Sequence, residues 1–264
     1  MSTPGEGLRR ARRADLAALP LEVAPTLLGA RLRTVVGGAE VILRITEVEA
    51  YHGKGVGDRH DPGSHARMGR TARNATMWGE PGHLYVYLSH GIHSCVNVVC
   101  GPEGVAGGVL LRAGEVVSGV DAAAVRRGIV PVLRTNSLAE GEPPRITPRM
   151  AIHPEIGGKQ LRDLARGPGR FGQASGLRHP QHDGIDAITG AELAGARAEL
   201  WLGERLADIA TGPRVGVAGH AGTDAFPWRF WIPGDPTVSP FRWGRGAAEA
   251  AAALDTPGIG SVLE

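Results

Sequence analysis

Residues 41–51 read VILRITEVEAY, and this stretch decides the fold class. β-Branched and aliphatic residues alternate with polar ones over a strand's length. Strict period-two alternation puts Val41, Leu43, Ile45, Glu47, Glu49 and Tyr51 on one face. That face starts apolar and ends on two carboxylates and a phenol. Either the strand runs from the core into a polar pocket, where a carboxylate can work as a base, or the acids simply leave the protein at a strand end. From this fragment alone the second reading is the commoner one.

Upstream, 31–36 and 39–51 read as two strands joined at Gly37-Gly38, a hairpin signal. A short helix is expected between Pro20 and Leu28, stopped by Gly29. Residues 53–69 are rich in Gly, His, Asp and Pro and read as a loop. Downstream, LYVYLS and HSCVNVVC form two β-runs meeting at His90-Gly91. The first presents Tyr85, Tyr87 and Ser89 on one face, with Leu84, Val86 and Leu88 on the other. The return run carries Cys95 and Asn97 on one face, and an Asn among valines needs a partner or a ligand.

Further strands are expected at 109–113, 199–202, 214–217 and 228–232, and helices at 117–127 and 160–166. Pro168 follows Gly167 and is placed to start another helix, whose N-terminus could face a phosphate. Residues 140–148 form a Pro-rich link, 1–14 an Arg-rich arm, and the tail from Gly244 is rich in Ala and Gly. No repeat or clean linker interrupts the chain, so 1–264 reads as one mixed α/β domain with a flexible arm and tail.

A hydrophobic fraction of 42% supports a buried core. A net charge of +2 permits nucleic-acid binding without arguing for it. Cys95 and Cys100 sit at odd spacing in one run and point to opposite faces, which disfavours a disulfide. With no export signal and no apolar run long enough to span a bilayer, a cytoplasmic protein without membrane contact is expected.

GKGVGD (Gly53–Asp58) lacks the third glycine of a dinucleotide fingerprint, and no phosphate loop, nucleophile elbow or zinc ladder is present. His60, His65, His90 and His93 suggest a metal. On a strand, however, His90 and His93 point apart, so neither a metal nor another cofactor is expected.

Taken together, EVEAYHG (47–53), SHARMGRTARNATMW (64–78), PGHLYVYLSHGIHSCVNVV (81–99), GGVLLRA (107–113), GPGRFGQA (167–174) and PRVGV (213–217) resemble the alkyladenine (3-methyladenine) DNA glycosylases. The resemblance runs from about Leu16 to Trp231. It implies an α+β domain with a curved, mostly antiparallel, open-barrel-like sheet, flanking helices and a protruding hairpin. It also implies an enzyme that flips a damaged nucleotide out of double-stranded DNA containing alkylated purines and hydrolyses its glycosidic bond. By motif, Glu49 is the general base, with Arg112 beside the water. Tyr51, His65 and Tyr87 hold the flipped base, and Asn97 rejects bases with an extra exocyclic amino group. His90, at a tip where the family often has Tyr, fills the gap in the duplex.

Arg67, Arg70, Arg73 and Arg170 are candidate phosphate contacts, although each is also an ordinary solvated arginine. Lys occurs only at Lys54 and Lys159, outside the proposed constellation. A hydrolase without lyase activity is therefore expected, since base excision with strand nicking uses an amine. A monomer is expected too, because eversion needs no second subunit. Competing readings are a non-catalytic nucleic-acid-binding module, which would not need Glu49, Arg112 and the aromatic set together, and a metal-dependent nucleobase hydrolase.

Overall fold

Val41–Tyr51 lies within a strand of 14 residues, Ala39–His52, the spine of the molecule. The computed structural model describes residues 7–56, 60–129 and 156–255. In chain order its elements are β1 (Arg9–Arg10), α1 (Pro20–Val23), β2 (Arg31–Val36), β3 (Ala39–His52), β4 (His83–Ser89), β5 (His93–Val99), β6 (Gly107–Ser118) and α2 (Val120–Arg126). Then come α3 (Gly158–Asp163), β7 (Ala165–Arg166), α4 (Pro168–Ser175), β8 (Ile185–Asp186), β9 (Ala196–Leu202), β10 (Ala210–Gly212), β11 (Arg229–Trp231) and α5 (Ala247–Asp255). One curled sheet takes the order β1-β9-β2-β3-β6-β5-β4-β8, with β11 joining β3 to β10 and β7 on β6. Every pairing is antiparallel. This is the α+β, half-barrel arrangement that the resemblance implies.

Strict alternation along β3 fails at one point, and the failure builds the site. The register against β6 passes from Ile45↔Gly114 to Glu47↔Ala113, so Thr46 is an extra residue on β3. It then passes to Val48↔Leu111, so Arg112 is an extra residue on β6. Val41, Leu43 and Ile45 belong to the main apolar cluster, but beyond the bulge Val48 and Ala50 do. The core-facing parity therefore changes at Thr46, and Glu47, Glu49 and Tyr51 do not continue the apolar face. A bulge re-aims side chains in this way and sharpens local twist. There β3 also changes partner, from β2 along 39–44 to β11 along 47–49.

Other expectations shift by a few residues. β6 is longer than the expected strand, so Val117 and Ser118 are extended and the helix starts at Val120. The expected helix over 160–166 ends at Asp163, and Ala165–Arg166 pair with β6. Residues 214–217 form no strand: Arg214 is fully buried and Gly216 turns the chain at φ +71°. The arm is tied down from Arg9, where β1 pairs with β9, and Ala247–Asp255 of the tail is helical. The Pro-rich link at 140–148 lies outside the described residues.

Helix α4 rests on β5 at a glycine. A Cβ at Gly172 would fall 1.9 Å from the Ser94 carbonyl oxygen, so only glycine allows this approach. The packing brings Gly169 against His93, at the tip end of the β4–β5 hairpin, where His93 pairs with Ser89.

Candidate active site

The bulged region of β3 forms the floor of a cleft of about 1150 Å³. Glu49 lies there fully buried. Its Oε1 accepts the Val215 N–H at 2.7 Å and lies 3.4 Å from Arg112 Nη1. Its Oε2 accepts the Tyr51 hydroxyl at 2.8 Å. A carboxylate oxygen has room for a second partner, so Oε2 can still take a proton or a water hydrogen. Burial, and then the Glu49 charge, hold the Tyr51 phenol well above its ordinary pKa, so it remains a donor.

Glu47, also fully buried, anchors the arginine. Arg229 Nε donates to Glu47 Oε1 at 2.6 Å, the Ser239 N–H to Oε2 at 2.7 Å and the Ser239 hydroxyl to Oε1 at 3.0 Å. Arg112 Nε lies 3.1 Å from Glu47 Oε1 and donates to Ser239 Oγ at 3.1 Å. One end of the Arg112 guanidinium is thus fixed and the other turns to Glu49. Behind Tyr51, Arg214 pairs with Asp61 through two contacts of 2.7 and 2.8 Å. Its guanidinium lies 4.5 Å from the Tyr51 ring centroid. Three buried carboxylates (Glu47, Glu49, Asp61) are matched by three buried arginines (Arg112, Arg214, Arg229). This balance lets so much charge stay out of water.

The aromatic wall is built on β4. Tyr87 meets the His65 ring edge-on at 4.6 Å and stacks on Tyr85 at 5.4 Å. The cleft wall, and then Arg73 and Arg67, hold His65 below the ordinary imidazole pKa, so its ring stays neutral near pH 7. Burial pushes the Tyr87 phenol up. Asn97 finds a partner across the hairpin, its Nδ2 donating to the Tyr85 carbonyl at 3.0 Å. Cys95 lines the cleft while Cys100 lies in the core, and both are free thiols, as their spacing suggests.

The structure brings Glu49, Arg112, Tyr51, His65, Tyr87, Asn97 and His90 onto one cleft, with Arg67 and Arg170 on its wall. Arg70 and Arg73 do not line it: Arg70 borders a second hollow, and Arg73 donates to the Leu88 carbonyl. At the hairpin tip His90 is exposed with φ +50°, and Ile92 beside it is 72% exposed. Among the described residues no group of three or more His, Cys, Asp or Glu is placed to hold a metal ion. Asp61, Arg214, Arg229 and Ser239 escape a reading by motif, because only the fold shows that these charges are internal.

A family model described as methylpurine-DNA glycosylase matches residues 14–236. The chain belongs to the methylpurine-DNA glycosylase family. A relative from Leifsonia xyli subsp. xyli is 46% identical over 222 residues, covering 84% of this chain and 88% of that protein. One from Nocardia farcinica is 44% identical over 228 residues, covering 86% and 90%. Each bears the name "Putative 3-methyladenine DNA glycosylase". Membership makes the chain a DNA glycosylase, a hydrolase of DNA repair with DNA as its substrate. No helix among the described residues is long and apolar enough to cross a membrane.

Proposed function

We propose that this DNA glycosylase releases alkylated purines of the 3-methyladenine type from double-stranded DNA, after the nucleotide is flipped into the cleft. The observation that carries the reading is the placement of Glu49. It is a buried carboxylate steadied by Val215, Arg112 and Tyr51, at the floor of a cleft walled by Tyr51, Tyr87 and His65.

A base outside the stack can present its faces to these rings and its sugar to Glu49. An N-alkylated purine carries positive charge and gains cation–π stabilisation from tyrosine. Arg214 on the far side of Tyr51 would oppose this, but Asp61 neutralises it. As the C1′–N bond breaks, its electron pair goes to the purine, which leaves neutral. A water oxygen bonds C1′ and gives its proton to Glu49, and the same carboxylate stabilises the developing oxocarbenium charge. Asn97 reads the base edge against an extra amino group, and His90 takes the vacated place in the duplex. The chain acts as a monomer and leaves an abasic site without nicking.

Single-turnover base release from duplexes carrying 3-methyladenine, 7-methylguanine, hypoxanthine or ethenoadenine tests this reading. Glu49→Gln should slow release by about 10²–10⁴-fold while duplex binding is kept. Release at the wild-type rate by Glu49→Gln would remove the assignment.

A further inference from the structure

The family match ends at residue 236, yet the wall of the cleft continues beyond it. Residues 239–243 read SPFRW, and Ser239, Pro240, Arg242 and Trp243 all line the cleft. Trp243 is 43% exposed and Phe241 beside it 37%, so the two rings form an apolar patch on the rim of the cleft. Phe241 supports it edge-on at 4.8 Å and 82°. Phe241 in turn lies 5.9 Å from the guanidinium of Arg229, which Glu47 holds.

The segment is held in register with Glu49. The Gly216 N–H donates to the Arg242 carbonyl at 2.9 Å, and the neighbouring Val215 N–H donates to Glu49. The next residue packs so closely that a Cβ at Gly244 would meet the Val217 carbonyl oxygen at 2.1 Å. Trp243 is thus an exposed ring on a fixed mount.

Charge identifies what it meets. Among the described residues, Arg67, Arg112, Arg127, Arg166, Arg170 and Arg242 line the cleft, against two acids, Glu49 and Asp163. Glu49 faces Arg112, and Asp163 faces Arg166 and Arg170 at 3.4 and 3.7 Å. The occupant is therefore anionic and brings a flat ring. When a nucleotide is everted, the base beside it loses one stacking partner and exposes a π-face. We propose that Trp243 takes one of the two faces that border the vacated place, stacking on the nucleobase on one side of the everted nucleotide and leaving the other side to His90. This rests on the reading that the cleft receives an everted nucleotide.

A duplex with a tetrahydrofuran abasic analogue, and 2-aminopurine on one side or the other of it, reports the contact. Wild-type protein and Trp243→Phe should quench 2-aminopurine on one of the two sides. Trp243→Ala should leave that position unquenched and bind the analogue duplex about tenfold more weakly, since base–aromatic stacks are lost on truncation to Ala. Its affinity for undamaged duplex should not change. Equal quenching by Trp243→Ala, or equal weakening on both duplexes, overturns the proposal. If wild-type protein shows no preference for the analogue duplex, the eversion reading itself has failed; if the preference is present but insensitive to Trp243→Ala, only the stacking contact has.

Discussion

Arg214 and Asp61 meet as a two-pronged ion pair, Nη1 to Oδ2 at 2.8 Å and Nη2 to Oδ1 at 2.7 Å, with neither side chain exposed. The pair fastens the loop after β3 to the back of the cleft floor. Asp61 also accepts the N–H groups of His52 and Gly63, and Arg214 donates to the Ala50 and Ala221 carbonyls. Asp61→Asn leaves a guanidinium buried without its counter-charge, which costs about 3–5 kcal/mol. Urea unfolding should show that loss, and a second substitution, Arg214→Met, should recover part of it. A loss below about 1 kcal/mol would mean that water reaches the site.

The sequence made strands and the hairpin legible because their signals are local. Alternation in Leu84–Val99 predicts which tyrosines face the cleft. The helix expected up to Leu28 is α only over Pro20–Val23 and tightens to a 3-10 helix over Ala24–Leu27, after which Gly29 turns the chain at φ +79°. What escaped depends on register between distant segments. Nothing in VILRITEVEAY announces that Thr46 is an extra residue, because a bulge is defined by the partner strand. For the same reason Arg214, in PRVGV, looks like a surface charge until Asp61, 153 residues away, is folded against it. The cleft-lining positions on β3 and β4, and Arg112 on β6, are therefore legible in the sequence, whereas Arg214, Arg229 and Ser239, which brace them, are not.

Tyr51 donates to Glu49 and, on the proposed reading, offers its ring to the base; the two roles separate on removing the hydroxyl. Tyr51→Phe keeps the ring and leaves Glu49 Oε2 without its protein donor. Stability should fall by about 1 kcal/mol, the usual net worth of one hydrogen bond. Single-turnover release should slow by about tenfold, with affinity for lesion-bearing duplex retained. Loss of affinity with an unchanged rate would place the hydroxyl on the substrate instead.

Asp235 ties the end of the sheet to the strand that carries the bulge. It accepts from Arg44 Nη2 at 2.6 Å and from the N–H and hydroxyl of Thr237, whose hydroxyl also meets that of Thr46 at 2.8 Å. Partial burial pulls its pKa upward, but the Thr237 and Arg44 hydrogen bonds outweigh this and hold it below the ordinary carboxylate value. A carboxyl whose folded pKa is depressed contributes stability in full above its unfolded pKa, about 4, and loses it as pH falls through the folded value. The stability gap between wild type and Asp235→Asn should stay level from pH 7 to 5 and shrink below about pH 4. Denaturant titrations at pH 7, 5 and 3 check this; a gap that widens on acidification contradicts it.

On the proposed reading, the hairpin tip offers the duplex a small ring and an aliphatic side chain. His90 sits at φ +50°, and Ile92 projects beside it. An imidazole fills a base-sized gap incompletely, so the tip should govern affinity more than the chemical step. His90→Ala should weaken binding to lesion-bearing duplex by about tenfold and slow release from the bound complex by less. Ile92→Asp, which sets a carboxylate against phosphates, should weaken binding further. Unchanged binding of His90→Ala with a large single-turnover loss would move His90 from the duplex to the reacting centre.

Hydrolysis leaves an abasic sugar, and only an amine within reach of it could go on to nick the strand. Such a lyase step needs an amine that attacks C1′ and holds the sugar as a Schiff base, which borohydride reduces to a permanent link. Lys54 is exposed on the loop after β3 and Lys159 is exposed on α3, and neither lines the cleft around Glu49. Arginine cannot replace them, because it stays protonated. Incubation with lesion-bearing duplex and borohydride should therefore yield no protein–DNA adduct, and the product strand should remain intact until alkali cleaves its abasic site. The trap interrogates every amine of the chain at once, the terminal one included. A stable adduct that disappears in Lys54→Arg would show that the loop after β3 reaches the sugar and that water is not the only nucleophile at this site.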